Sequence, residues 1–176
     1  SGVKSFDPQF FLDGLNDVFA GNDPKLLPNE VNQVLQEFME EIQAGEGKAN
    51  LDNSLKFLAE NRKNASVNET QSGLQFTILK TGDGKLPALT DQVKCHYHGT
   101  LIDGTVFDSS VERGQPAVFP VNGVIQGWVE ALQMMPEGSK WRLFVPSDLA
   151  YGDRGAGGAI GPNSTLIFDV ELLEII

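Results

Sequence analysis

From Leu74 onward, apolar residues return at every second position. Leu74, Phe76 and Ile78 alternate with polar neighbours, as do Val93, Cys95 and Tyr97, Phe119 and Val121, and Trp141, Leu143 and Val145. Leu166 to Ile175 closes the series. Alternation of this kind predicts half-buried strands, because successive side chains point to opposite faces. Pro120 places its strand at an edge or a bulge. One segment breaks the period. Val124, Trp128 and Leu132 recur at i, i+4 and i+8, with Ile125 and Val129 beside them, and predict a short helix. Gly127 within it costs about 1 kcal/mol against Ala, so some group is expected to approach its backbone closely. The pattern gives an α+β domain: an antiparallel sheet of five to six strands wrapped on a short helix.

Before Leu74 the period is helical. Asp7 and Pro8 form a helix start, an N-cap oxygen followed by a proline whose missing N–H costs nothing there. Phe11, Leu15, Val18 and Phe19 mark one face, and Gly21 is the expected stop. A second helix begins near Pro28, with Val31, Leu35, Phe38 and Ile42 on one stripe. Gly45 and Gly47 interrupt, and Leu51, Leu55 and Leu58 form another stripe, roughly opposite the first. Either the helix ends and restarts at the glycines, or one long helix uses its two halves against different partners. Short amphipathic elements cannot bury their own apolar faces. Phe10, Phe11, Leu15, Phe19, Val31, Leu35 and Phe38 therefore pack against a second copy, or the segment folds back on its own second domain. Asn64 to Gly73 is polar and turn-rich and makes the domain boundary.

Composition narrows the classes. The net charge is −11, with six net negative charges before residue 73 and five after, which argues against nucleic acid or an anionic membrane as partner. No run of 18 apolar residues is present, as a membrane span requires. One cysteine, Cys95, excludes an intramolecular disulfide framework. The N-terminus has no apolar signal core, and Ser1-Gly2 fits a processed end. The compartment stays open: bacterial periplasm or cell envelope if an export signal was removed, otherwise cytoplasm.

Several candidate chemistries fail on geometry. His96 and His98 share a strand face, but a metal needs a third or fourth ligand and none is evident. Cys95 and His96 are adjacent and so face opposite ways, which denies them a nucleophile–base contact. Gly155 to Gly161 lacks G-x-G-x-x-G spacing, with Ile160 at the third glycine, and reads as a mobile loop. Asp108, Ser109 and Ser110 come without a G-x-S-x-G elbow. Asn68-Glu69-Thr70 fits a glycosylation acceptor by chance. What remains is an aromatic set from five segments: Tyr97, Phe107, Trp128, Tyr151 and Phe168. On its residues alone, the helix around Trp128 is either plain core or the floor of an apolar pocket with Ile125 at its entrance.

The run Tyr97 to Ser110 (YHGTLIDGTVFDSS), the segment Val124 to Leu132, Leu149 to Gly152 and Thr165 to Leu173 stand in an order and spacing that resembles the FKBP-type peptidyl-prolyl isomerases. The resemblance covers about residues 73–176. The preceding segment is similar to the dimeric bacterial branch, the macrophage-infectivity-potentiator and FklB-like proteins. It implies an FKBP-like domain over 73–176, preceded by a helical dimerisation segment and connecting helix over 1–72, and it favours the unbroken helix. It also implies rotation of Xaa–Pro bonds in protein substrates without cofactor or metal. By matching motif, Tyr97, Phe107, Asp108, Ile125, Trp128, Tyr151 and Phe168 take catalytic positions. Val124, Ile160 and Arg113 take substrate-binding ones, Arg113 pairing with Asp108 or orienting Tyr97. The Gly155–Gly161 loop overhangs the pocket. Proline-containing polypeptides, the macrocycles tacrolimus and rapamycin, and a second copy of the chain are the implied partners. Ala117 stands where many relatives carry an aromatic, and Ala156 and Ala159 are smaller than some counterparts, so the wall is expected to be more open there. A dimeric client-holding chaperone, with isomerisation secondary, is the competing function.

Overall fold

The structure is a computed structural model in which residues 13, 16, 17, 19–21 and 28–176 are described, the side chains of 28–31 and 34 excepted. The chain divides into two units, Ser1–Glu46 and Gly47–Ile176. In the first, Asp13, Asn16, Asp17 and Phe19 are helical, and the Ala20 N–H donates to the Asn16 carbonyl at 2.9 Å. Gly21 stops the helix in the left-handed region, at φ 70°, which a residue without Cβ adopts freely. The expected start at Asp7-Pro8 and the residues Phe10, Phe11, Leu15 and Val18 lie outside the described residues.

Helix α1, Pro28–Asn61, runs unbroken for 34 residues, through Gly45 and Gly47. Its first half leaves Leu35, Phe38 and Met39 exposed. In the second unit, the buried edge of α1 is not the leucine stripe. Leu51 and Leu55 are exposed, and only Leu58 of that stripe is buried. The packed edge is Gly47, Asn50, Ser54, Phe57, Leu58 and Asn61, at spacings of three and four. The reason is the surface opposite, which is loop backbone whose carbonyls need donors. Asn50 Nδ2 donates to the Pro162 carbonyl at 2.9 Å and Ser54 Oγ to that of Asn163 at 3.0 Å. A Cβ on Gly47 would lie 3.3 Å from both Pro162 and Asn163. Further along, Phe57 meets Phe144 at 5.9 Å between ring centroids, and Asn61 donates to the buried Gln75.

Seven antiparallel strands follow: β1 Asn68–Glu69, β2 Gln75–Lys80, β3 Gln92–Leu101, β4 Val106–Ser109, β5 Ala117–Pro120, β6 Lys140–Val145 and β7 Leu166–Ile175. The sheet order is β1-β2-β6-β7-β3-β4, with β5 also paired to β3. The strands beyond the alternating segments are the short β1 and β4. Val121 does not extend β5 but opens a 3-10 turn, Val121–Gly123. Helix α2, Gln126–Met134, lies on one face of the sheet and buries Trp128, Ala131 and Leu132 against it. Val124 and Ile125 precede this helix, with Ile125 extended at ψ 151°, so the helical stripe read from Val124 begins two residues too early. Inside α2, a Cβ on Gly127 would meet Val145 Cγ1 at 2.5 Å. The close approach expected at that glycine is the packing of α2 onto β6.

Candidate functional site

Strand alternation directs Val93, Cys95, Tyr97 and Gly99 of β3 toward α2. Gly99 pairs with Asp108 on one side and Phe168 on the other. Its missing side chain matters: a Cβ there would sit 2.7 Å from the Phe107 ring and 3.0 Å from that of Phe168. The two phenyl rings meet edge to face over it, centroids 5.4 Å apart. Trp128 receives three more such contacts, from Phe168 at 5.3 Å, Tyr97 at 5.5 Å and Phe119 at 5.7 Å. Edge-to-face contact is the favoured arrangement of aromatic quadrupoles.

Above this cluster opens a cavity of about 600 Å³. Trp128 is 4% exposed and lies at its floor. Nine of the ten residues singled out from the sequence line it: Tyr97, Phe107, Asp108, Val124, Ile125, Trp128, Tyr151, Ile160 and Phe168. Arg113, the tenth, stands behind. Its Nη2 donates to the Tyr97 hydroxyl at 2.7 Å and its Nη1 to Asp108 Oδ1, while the Tyr97 hydroxyl donates to Asp108 Oδ2 at 2.5 Å. Both expected contacts of Arg113 are therefore made at once. Partial burial pushes the Asp108 carboxyl upward, but the Tyr97 hydroxyl and the Arg113 guanidinium outweigh it and hold the carboxyl below its usual range. Burial, then the carboxylate, raises the Tyr97 phenol, which stays a neutral donor.

Phe119 also lines the cavity and was not singled out. The signal was available, since Phe119 shares the inward parity of β5 with Ala117. Ala117 itself is not among the lining residues; Phe119, two positions on, supplies the aromatic wall. Ala156, Gly157 and Ala159 line the cavity from the glycine-rich loop. That loop is closed by two backbone hydrogen bonds between Ala156 and Ile160, of 2.8 and 3.0 Å. Left-handed Gly157 and Gly158 form its tip.

The remaining candidates take structural roles. His96 and His98 bond through Nδ1 to Ser110 Oγ at 3.1 Å and Ser109 Oγ at 3.0 Å, which fixes the turn leading to Arg113. Cys95 is fully buried, and burial pushes its thiol up to about 12. A thiol held protonated in this way is no nucleophile.

The family model for FKBP-type peptidyl-prolyl cis-trans isomerase matches residues 84–173, the part that builds the cavity. The chain belongs to this family. A second model, the domain amino terminal to FKBP-type peptidyl-prolyl isomerase, matches residues 1–78. The isomerase is 51% identical over 179 residues to the FKBP-type 22 kDa peptidyl-prolyl cis-trans isomerase of Escherichia coli, covering 100% of this chain and 87% of that one. It is 43% identical over 176 residues to the peptidyl-prolyl cis-trans isomerase Mip of Coxiella burnetii, covering 96% of this chain and 76% of the relative. Among solved structures, FkpA from Escherichia coli superposes with a TM-score of 0.82 at 36% identity, over 99% of this chain and 84% of that one.

Proposed function

We propose that the aromatic cavity is where this isomerase turns Xaa–Pro bonds, by favouring the twisted amide without covalent chemistry. The observation that carries the reading is an open apolar hollow, with Trp128 at the floor and Phe107, Ile125 and Phe168 around it. Its volume falls within the range of about 300–1,000 Å³ common to small-ligand sites. Rotation about a peptide bond faces a barrier of about 18–20 kcal/mol, because twisting destroys amide resonance. The planar amide is the more polar form and is stabilised more by water. A dry pocket therefore favours the twist, each tenfold acceleration needing about 1.4 kcal/mol of differential stabilisation. The pyrrolidine ring rests on Trp128. The Ile125 N–H and the Tyr151 hydroxyl, which make no hydrogen bond among the described residues, hold substrate carbonyls at the rim. Tyr97, Asp108 and Arg113 set the polar edge. Because contact is mainly apolar, Leu or Phe is preferred before the proline. Tacrolimus and rapamycin, with their broad apolar faces, fit the same hollow. Turnover of Leu–Pro and Phe–Pro tetrapeptides by wild type, Phe107→Ala and Asp108→Leu tests this assignment. It is lost if both variants turn over at the wild-type rate.

A second copy of the chain is the proposed partner of the N-terminal unit. Phe19 is 86% exposed, Leu35 54% and Phe38 42%, more apolar surface than scattered single exposures explain. A dimer built there would hold unfolded clients between two catalytic units. Sedimentation decides it: Leu35→Glu/Phe38→Glu is expected to halve the mass of the wild-type species and leave tetrapeptide turnover unchanged. A wild-type chain that sediments as a monomer rejects the dimer.

A further inference from the structure

Two cavity residues, Tyr151 and Ile160, come from segments outside the sheet, and both segments lead to Asn163. Among the described residues, Asn163 is the sole non-glycine with positive φ, at 55°. The left-handed region is costly for most side chains, and Asn is among the few that enter it. Its backbone N–H donates to the Gly152 carbonyl at 2.8 Å, one residue beyond Tyr151. Its side-chain Nδ2 donates to the Gly47 carbonyl of α1 at 3.2 Å, and its carbonyl accepts from Ser54 Oγ. The same Ser54 oxygen accepts the Thr165 N–H at 3.0 Å. Just upstream, Asn50 holds the Pro162 carbonyl, and a Cβ on Gly161 would lie 2.9 Å from Asn50 Nδ2.

The loop from Ala156 to Ile160 is closed on itself, and a Cβ on Gly155 would lie 2.1 Å from the Ile160 oxygen. These bonds fix the loop's shape but not its tilt over the cavity. Tilt is set where the loop exits, at Gly161-Pro162-Asn163, and the polar contacts that α1 makes to this segment, from Gly47, Asn50 and Ser54, lie at that exit. We propose that Asn163, held by Ser54 of α1, is a positioning residue for prolyl turnover: it sets how far Ile160 and Tyr151 reach over the substrate residue before proline. The proposal rests on the cavity being the prolyl site.

Loss of one neutral hydrogen bond corresponds to about 0.5–1.5 kcal/mol, or about a 3–10-fold change. Asn163→Gly keeps the left-handed backbone and removes the side chain; Ser54→Ala removes one hydroxyl. The readout is the ratio of kcat/KM for a Leu–Pro over an Ala–Pro tetrapeptide, on full-length protein shown to be folded by circular dichroism. Asn163→Gly, which loses one bond, is expected to lower that ratio about 3–10-fold, and Ser54→Ala, which loses two, at least as far, with the Leu–Pro KM rising in both. A ratio within about twofold of wild type, or equal loss on both peptides, overturns the proposal. If Asn163→Gly does not fold, Ser54→Ala alone decides. Phe107→Ala is run in parallel. If it too turns over like wild type, the cavity assignment has failed; if it is impaired while the ratio holds, only the positioning role has.

Discussion

Replacing Gly127 by Ala tests how tightly the floor of the cavity is built. A helix interior normally gains up to about 1 kcal/mol from this change. Here the new methyl would stand 2.5 Å from Val145 Cγ1 and 3.3 Å from Cγ2. Val145 is fully buried in β6 and cannot swing into solvent. Overpacking of this kind costs about 1–3 kcal/mol, so the net expectation is a loss on the order of 1–2 kcal/mol. Val145→Ala alone removes two methyls, worth about 0.8 kcal/mol each, and adds a cavity term, for about 2 kcal/mol in all. In the double variant the added methyl occupies the space that Val145 vacates. Its stability should match or exceed that of Val145→Ala, a coupling of at least about 1 kcal/mol. Urea unfolding of the four proteins measures this, with an unchanged m value as the two-state check. Trp128 follows Gly127 directly, so kcat/KM should fall in the single variant and recover in part in the double. The reasoning is refuted if Gly127→Ala is as stable as wild type, or if the two changes add within about 0.5 kcal/mol.

Gly99→Ala should act on the other wall. Its methyl displaces the Phe107 ring into the cavity, so turnover should drop by about tenfold or more, and an unchanged rate counts against the packing. The Asp108 carboxyl is held below its ordinary value of 3.8 in the folded chain. Its contribution to stability is thus fully present above that value and is lost as pH falls through the folded pKa. The stability gap between wild type and Asp108→Asn should accordingly narrow on acidification below about pH 4, as read by urea midpoints across the acid range. Cys95, with its thiol near 12, should not react with a disulfide reagent in the native chain, and should release one thiol per chain on unfolding. Fast labelling under native conditions would show that β3 opens locally.

β3 and β7 are legible because one face is buried and the other is not, which writes a period of two into them, whereas β2 buries the polar Gln75 and leaves Ile78 exposed, and β6 buries Leu143, Phe144 and Val145 in succession. β4 was not legible. Its four residues Val106–Ser109 follow a tight turn, and Val106 is exposed. The start of α2 was misplaced for a related reason. Val124 and Ile125 are apolar because they face the cavity, and periodicity does not distinguish that from facing a core. The packed edge of α1 was hidden more deeply. Gly47, Asn50 and Ser54 meet polar loop backbone, and a contact made of hydrogen bonds and close approach leaves no hydrophobic stripe. The leucines that do make a stripe, at 51 and 55, face solvent. At the site, the motif resemblance brought forward every residue named, including Arg113, which reaches the cavity only through Asp108 and Tyr97. It does not include Phe119, whose alternation with Ala117 in β5 marks an inward side chain without distinguishing a cavity wall from plain core.

The polar edge also explains how a charged residue can border a pocket whose proposed work requires low polarity. Asp108 alone would set a full negative charge beside an amide that is losing its own charge separation. Arg113 and the Tyr97 hydroxyl occupy both carboxylate oxygens, so the group presents itself as a closed, near-neutral set. Among the described residues, the Ile125 N–H and the Tyr151 hydroxyl at the rim have no acceptor, and at the floor the buried Trp128 indole N–H has none either. On the proposed reading, substrate carbonyls enter at the rim donors, while the bond that must twist lies over Trp128, clear of the Asp108 charge. On this reading Arg113→Ala should impair turnover more than its distance from the indole suggests. It exposes the cavity to an uncompensated carboxylate, and Asp108→Asn in the same chain should restore part of the loss by removing that charge.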